Sequence, residues 1–279
     1  MKKYVISIII LLILIVLAIG GFFIYSNIMN NKSNDSINLS EKCMSELEFM
    51  DTSIIEMMNG LNNISYTNYR IINEEINVAS AEQENSTDSK NTINSTSVIN
   101  NDILSENNND INWNDLKSEI ENMYDSWTTI LIDLTTLNVN RDNLLKYNST
   151  MDQIVKDFDN EDKSASLIHL ADLYNLLALY IKDFAGDSSQ TNVYNVKSNI
   201  LYAYANIETD NWDNVKKYVN SAQSEFANIL NNQVNNMNNI DEINKAYILI
   251  NELENDCNEQ NKKVFYLNYR NLMQELENI

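Results

Sequence analysis

Between Trp113 and Leu137 apolar side chains return every three or four residues without a miss: Trp113, Leu116, Ile120, Met123, Trp127, Ile130, Leu134 and Leu137. Steps of three and four keep one face of an α-helix apolar for about seven turns, and no other regular structure has that period. The same stepping runs through Cys43, Leu47, Met50, Ile54, Met57, Leu61 and Ile64, a heptad seam of the kind that pairs helices. Asn38 with Glu41 forms a capping box at its start, and Gly60 with Asn62-Asn63 marks where it breaks or bends.

Shorter helical patterns follow. One carries Leu144, Leu145, Met151, Ile154, Val155 and Phe158, with Asn148 read as part of a turn-like polar stretch. Leu167, Leu170, Tyr174, Leu177 and Ile181 belong to the next, which is apolar around more than one stripe and therefore expected to be the most buried. Gly186 is its natural stop. Helices bearing Val193 to Ile207, Trp212 to Ile229, Ile243 to Cys257 and Val264 to Leu276 complete the series. Asp210 is placed as the cap of the second of these, and Asn239 with Glu242 as a capping box for the third. Short connections make consecutive helices antiparallel neighbours. Asp159-Asn160-Glu161-Asp162 and Asp210-Asn211-Trp212-Asp213 echo each other at two hairpin turns, with Ala171 and Ala222 at the same offset, as in stacked helical pairs.

Turn chemistry excludes the sheet folds. With four glycines and no proline in 279 residues, the chain lacks the material for the many tight turns of a β-sandwich or an α/β enzyme. The expected class is all-α: an N-terminal transmembrane helix, a long stalk helix, then an antiparallel helical bundle or a short α-solenoid of helical hairpins.

Met1-Lys2-Lys3 precedes an uncharged apolar run from Tyr4 to Tyr25. About 20 such residues in a helix cross a hydrocarbon core of roughly 30 Å. The lysines before the run place the N-terminus in the cytoplasm and the rest outside, in the cell membrane as a single-pass protein. Ala18-Ile19-Gly20 resembles a signal-peptide cleavage site, but the apolar run continues beyond it, so a retained anchor is the preferred reading. The expected organisation is 1–30 cytoplasmic start and anchor, 31–82 stalk, 83–111 flexible polar linker, and 112–279 extracytoplasmic helical domain. Leu167 to Ile181 is interrupted by His169, Asp172 and Asn175 and reads as a core helix rather than a second span.

The balance of 19 basic and 40 acidic residues, a net charge of −21, repels nucleic acid and anionic headgroups. Chemistry-bearing patterns are sparse. The single histidine, His169, has no Glu-x-x-His context for a di-iron bundle and reads as structural. Asp157 to Asp162 lacks the glycine and the bidentate glutamate of a calcium loop. Neither a metal, a cofactor nor a catalytic residue is expected, and an enzyme is the least favoured class. Cys43 and Cys257 are candidates for a disulfide outside the membrane. Tyr174, Tyr180, Tyr202, Tyr204 and Tyr218 are candidates for a tyrosine-rich contact groove.

Leu170-Ala171-Asp172-Leu173-Tyr174, Asp210-Asn211-Trp212-Asp213 and the tail Val264 to Met273 resemble segments of membrane-anchored, exported helical proteins of low-GC Gram-positive bacteria. That resemblance implies a helical fold and an envelope setting, and brings no activity or functional residues with it. The expected function is a binding or protein-interaction module of the envelope with an unknown protein partner or ligand; the alternative is an assembly protein forming homo-oligomers through the stalk helix.

Overall fold

A computed structural model of the chain describes residues 39–64, 110–137, 139–185, 189–232 and 239–279. The apolar run at 4–25, the Asn38 cap and nearly all of the expected linker lie outside these residues. The described residues form eight helices: α1 (39–61), α2 (Trp113–Thr136), α3 (Arg141–Asp159), α4 (Lys163–Ala185), α5 (Ser189–Ile207), α6 (Trp212–Asn232), α7 (Ile240–Glu259) and α8 (Lys262–Leu276). The all-α class is as the sequence indicates, and α2 begins at the expected Trp113. From α2 onward each helix packs against the next, and α8 also touches α5.

Three of the tight turns share one construction. Each first helix ends in a Schellman motif, where a residue in the left-handed region lets the next N–H reach back to a helical carbonyl. Glu161, Asp210 and Gln260 take that conformation, with φ of 55°, 54° and 53°. Asp162, Asn211 and Asn261 then donate their N–H to the carbonyls of Asp157, Asn206 and Asp256, at 2.9, 3.2 and 3.2 Å. The same three residues cap the second helix, each side chain accepting the N–H three positions on, from Ala165, Asn214 and Val264.

Burial follows the same register. Leu144, Tyr147, Met151, Ile154 and Phe158 in α3 correspond to Val193, Val196, Ile200, Ala203 and Ile207 in α5, and to Ile243, Ala246, Ile250, Leu253 and Cys257 in α7, all buried. In the second helices, Ser166, Leu170, Leu173 and Leu177 correspond to Val215, Val219, Ala222 and Phe226, and to Phe265, Tyr269, Leu272 and Leu276, again all buried. The chain is therefore an array of helical hairpins. The echo expected between 159–162 and 210–213 is real but two residues out of register, because Asp162 matches Asn211. Asp210 is accordingly the left-handed residue and not the cap. Asn239 is not a capping box either: its φ is 63°, it makes no side-chain cap bond, and its amide instead donates to the Asn278 carbonyl at 2.9 Å.

The main difference from expectation is the place of α1. The helix expected to stand apart as a stalk lies inside the body. Cys43, Leu47, Met50, Ile54, Met57 and Leu61 are at most 1 % exposed and share one core with all the other helices. Helix α1 runs antiparallel to α2, joined by Lys42–Asp133 at 2.7 Å and by Ser53 donating to Glu119 at 2.6 Å. Gly60 lets the two meet: a Cβ there would stand 3.3 Å from Leu116 Cδ2. The end of α1 repeats the Schellman turn, with Asn63 at φ 53° and Ile64 donating to the Asn59 carbonyl at 2.9 Å. The cap of α2 repeats as well, with Asn112 accepting from the Asp115 N–H at 3.3 Å. Leu116, Ile120, Met123 and Trp127 then occupy the buried positions of a second helix. So α1 and α2 are a fourth hairpin, whose left-handed residue and cap are separated by 64–111 instead of being adjacent.

Trp127 is 1 % exposed, its ring stacked on Tyr147 at 4.1 Å and on Tyr180 at 5.9 Å. Asn148 lies within α3 rather than in a turn, and accepts the Trp127 indole N–H.

Two outcomes follow from this arrangement. Cutting the chain within 65–109 is expected to leave the α1 piece held to the 110–279 piece. The two should co-elute in native buffer and part only in denaturant; release of α1 in native buffer would contradict its burial. Glu161→Gly and Gln260→Gly should each stabilise the fold by roughly 1 kcal/mol by relieving left-handed strain. That raises the melting temperature by about 2–4 °C for a chain of this size. Glu161→Ala should give no such rise.

Candidate functional site

An isolated carboxylate cannot be buried cheaply, so a buried acid identifies a point that the fold has arranged deliberately. Asp51, on the inner side of α1, is 6 % exposed. One of its oxygens accepts from the Tyr174 hydroxyl of α4, and the other from Lys197 Nζ of α5 at 3.2 Å. Lys197 is itself 4 % exposed and lies 5.5 Å from the centre of the Tyr194 ring. Burial, then the Asp51 charge, pushes the Tyr174 hydroxyl well above its ordinary pKa, so it remains a donor at neutral pH. Burial, followed by Asp51 and Glu48, raises Tyr194 in the same sense.

This pair forms the floor of a cleft of about 600 Å³. One wall is α1, with Glu48, Thr52, Ile55 and Glu56; the second is α5, with Gln190, Val193, Tyr194 and Lys197; the third is the end of α8 and the residues after it, with Gln274, Leu276, Glu277 and Ile279. The walls come from elements far apart in sequence, brought together because the array curls until α8 meets α1. Tyr269 donates to Asn59 at 3.0 Å, and Tyr204 donates to the Met58 carbonyl at 3.1 Å. Partial burial and the neighbouring Glu119 raise the Glu56 carboxyl above its usual pKa.

Apart from Tyr174, which holds Asp51 from below, the residues singled out from sequence lie elsewhere. Tyr174, Tyr180 and Tyr204 are fully buried, so they line no groove. Tyr174 and Tyr204 anchor α1, whereas the buried Tyr180 hydroxyl has no hydrogen-bond partner. Tyr202 and Tyr218 stack on each other at 4.8 Å, half-buried, with Tyr202 donating to Asp172 at 2.7 Å. The five tyrosines are thus packing and tethering groups, and aromatic density was the wrong signal for a surface. Cys43 and Cys257 are both free and buried, the first near Asp133 and the second beside Asp256 and Lys216. Burial is the main cause that lifts their thiols to about 11 and about 12, which keeps them protonated and poorly reactive. The expected bridge is not formed. His169 Nδ1 lies 2.5 Å from Asp157, whose other oxygen accepts from Gln153 at 3.0 Å. Asn268 holds the equivalent Asp256 in the last hairpin at 2.8 Å, which makes His169 part of the repeat's turn structure. Among the described residues, no three His, Cys, Asp or Glu side chains converge to hold a metal ion. The stretch Lys163–Asp183, long and apolar enough by composition to cross a membrane, is α4 and is largely buried in the core.

Sequence reasoning passed over Asp51 and Lys197, although a signal was present. Lys197 is the single charged residue in the whole of Ser189–Ile207, and Asp51 directly follows the seam residue Met50. Compared with known proteins, the chain matches no family model, no curated protein and no solved structure.

The ion pair makes a direct prediction. Lys197→Met strands a buried carboxylate and should cost about 3–5 kcal/mol in denaturant unfolding. Combining it with Asp51→Asn, which keeps an acceptor for Tyr174, should cost clearly less than the two single changes summed. Additive costs would show that the charges do not interact.

Proposed function

We propose that the chain is a single-pass envelope protein, N-terminus in the cytoplasm, whose helical array outside the membrane is a binding module. The observation that carries this reading is the cleft between α1, α5 and the end of α8, an open concavity whose walls mix apolar and acidic side chains over a buried ion pair. The Lys2-Lys3 flank and the run from Tyr4 to Tyr25 support the anchor and its direction. A binding role asks only for the cleft. A catalytic one would need a reactive group there, and His169 is engaged by Asp157 while both thiols are buried and protonated. Assembly between copies through α1 would need the seam from Cys43 to Ile64, which is already packed within the chain.

Two measurements test the proposal. Protease added to wall-stripped cells should digest the body and spare the anchor; protection of the body would reverse the topology. A photo-crosslinking residue at Thr52, in the cleft, should trap an envelope component in intact cells. The same group at Ile132, 73 % exposed on α2, should not. Equal trapping at both positions, or none at Thr52, would remove the cleft as the binding site.

A further inference from the structure

The cleft has a definite chemical character. Among the described residues that line it, the one basic group is Lys197, which is buried and paired with Asp51, so it offers nothing to an incoming ligand. Glu48 and Glu56, on the same exposed face of α1 two turns apart, stand along one wall, and Glu277 lies on the opposite side. Between them are Ile55, Val193 and Leu276, largely shielded from water. An anion would meet this field unfavourably. A bare metal ion would find no converging ligands. The complement is an organic body with apolar groups for the inner walls and positive charges for the rim.

We infer that the cleft receives a basic segment of a partner protein, its lysine or arginine heads between the carboxylates of Glu48 and Glu56 and its apolar groups on Ile55 and Val193. This rests on the reading of the cleft as a binding site and adds the class of occupant. Long basic side chains suit the place because their stems lie on apolar surface while their heads reach a charged rim. The crowding of Glu56 and Glu119 points the same way, since a cation beside Glu56 relieves both its partial desolvation and that repulsion. The strong overall acidity of the chain makes a local control necessary.

The test uses the exported part, 31–279, and a short fluorescent peptide of alternating lysine and valine, with a glutamate–valine peptide beside it. Anisotropy should show the lysine peptide binding, weakening with added salt, and the glutamate peptide not binding. Glu48→Gln with Glu56→Gln should lower affinity about tenfold, roughly two exposed charge contacts. Glu121→Gln with Asp125→Asn, an equal charge change on the exposed face of α2, should leave affinity within about twofold, since surface charges outside the contact act only through a screened field. Equal loss in both pairs would mean a diffuse acidic field and overturn the inference. Binding of both peptides would do the same, as would spermidine displacing the peptide through tighter binding of its own. If the Thr52 crosslink persists while the lysine peptide fails, the binding module stands and the basic occupant falls; if both fail, the cleft itself is wrong.

Discussion

Burying Asp51 obliges the rest of the molecule to answer it. The carboxylate sits where α1, α4 and α5 meet, and its two oxygens are taken by groups from the latter two helices. An apolar seam alone does not fix how one helix lies on others, because sliding by a heptad presents another apolar stripe. A charge that must meet Lys197 and Tyr174 removes that freedom, since one residue of slip turns Asp51 away by about 100°. Ser53–Glu119 on one side and Asn59–Tyr269 on another confirm the same register. The ion pair thus acts mainly as a key, selecting one docking of α1, while the apolar contacts supply most of the free energy.

The turns show how a chain poor in glycine still makes sharp helical hairpins. Four Schellman turns place Asn63, Glu161, Asp210 and Gln260 in the left-handed region, where each side chain costs something that glycine would not. What offsets this is local: a recovered carbonyl bond, a capped following helix, and a buried Asn or Asp at the start of the motif, namely Asn59, Asp157, Asn206 and Asp256. Repetition of the device marks the repeat more clearly than sequence identity does, because the apolar positions tolerate Phe, Ile and Cys alike.

That tolerance explains what could be read from the sequence. Helix positions were legible because the 3–4 period is carried by a buried apolar stripe in each helix, from Leu116 to Leu276, and Gly60 and Asn62-Asn63 ended α1 where expected. The register of the repeat was not, because it rests on φ values at Glu161 and Asp210 that residue type does not announce. The placement of α1 was misread because a heptad seam looks the same whether its partner is another copy or another part of the chain. The 48 residues from Ile64 to Ile111 hid the hairpin that α1 and α2 make. For the site, five tyrosines drew attention to the surface, although burying the rings of Tyr174 and Tyr204, with their hydroxyls turned to Asp51 and the Met58 carbonyl, was the simpler use of an amphipathic side chain. The lone lysine in α5 was the better clue, since a single charge on an apolar helix needs a partner.

An open array of hairpins touches only its neighbours and can fray from either end. Here Asn59 of the first hairpin holds Tyr269 of the last, and Met58 holds Tyr204 of the third, so the ends are tied. Losing α1 would uncover the apolar faces of α2 to α5 and α8 together, which makes local fraying costly and unfolding more cooperative. The cleft shares this dependence: two of its walls, α5 and the end of α8, belong to the array, and the third is α1 itself. A group placed there would meet all three walls only in the form with α1 docked. By linkage, binding there holds α1 in place in proportion to its affinity, and loosening α1 weakens binding by the same amount. Because α1 supplies both a wall of the cleft and Asp51, loosening its docking opens the cleft and strands Lys197 in the same step.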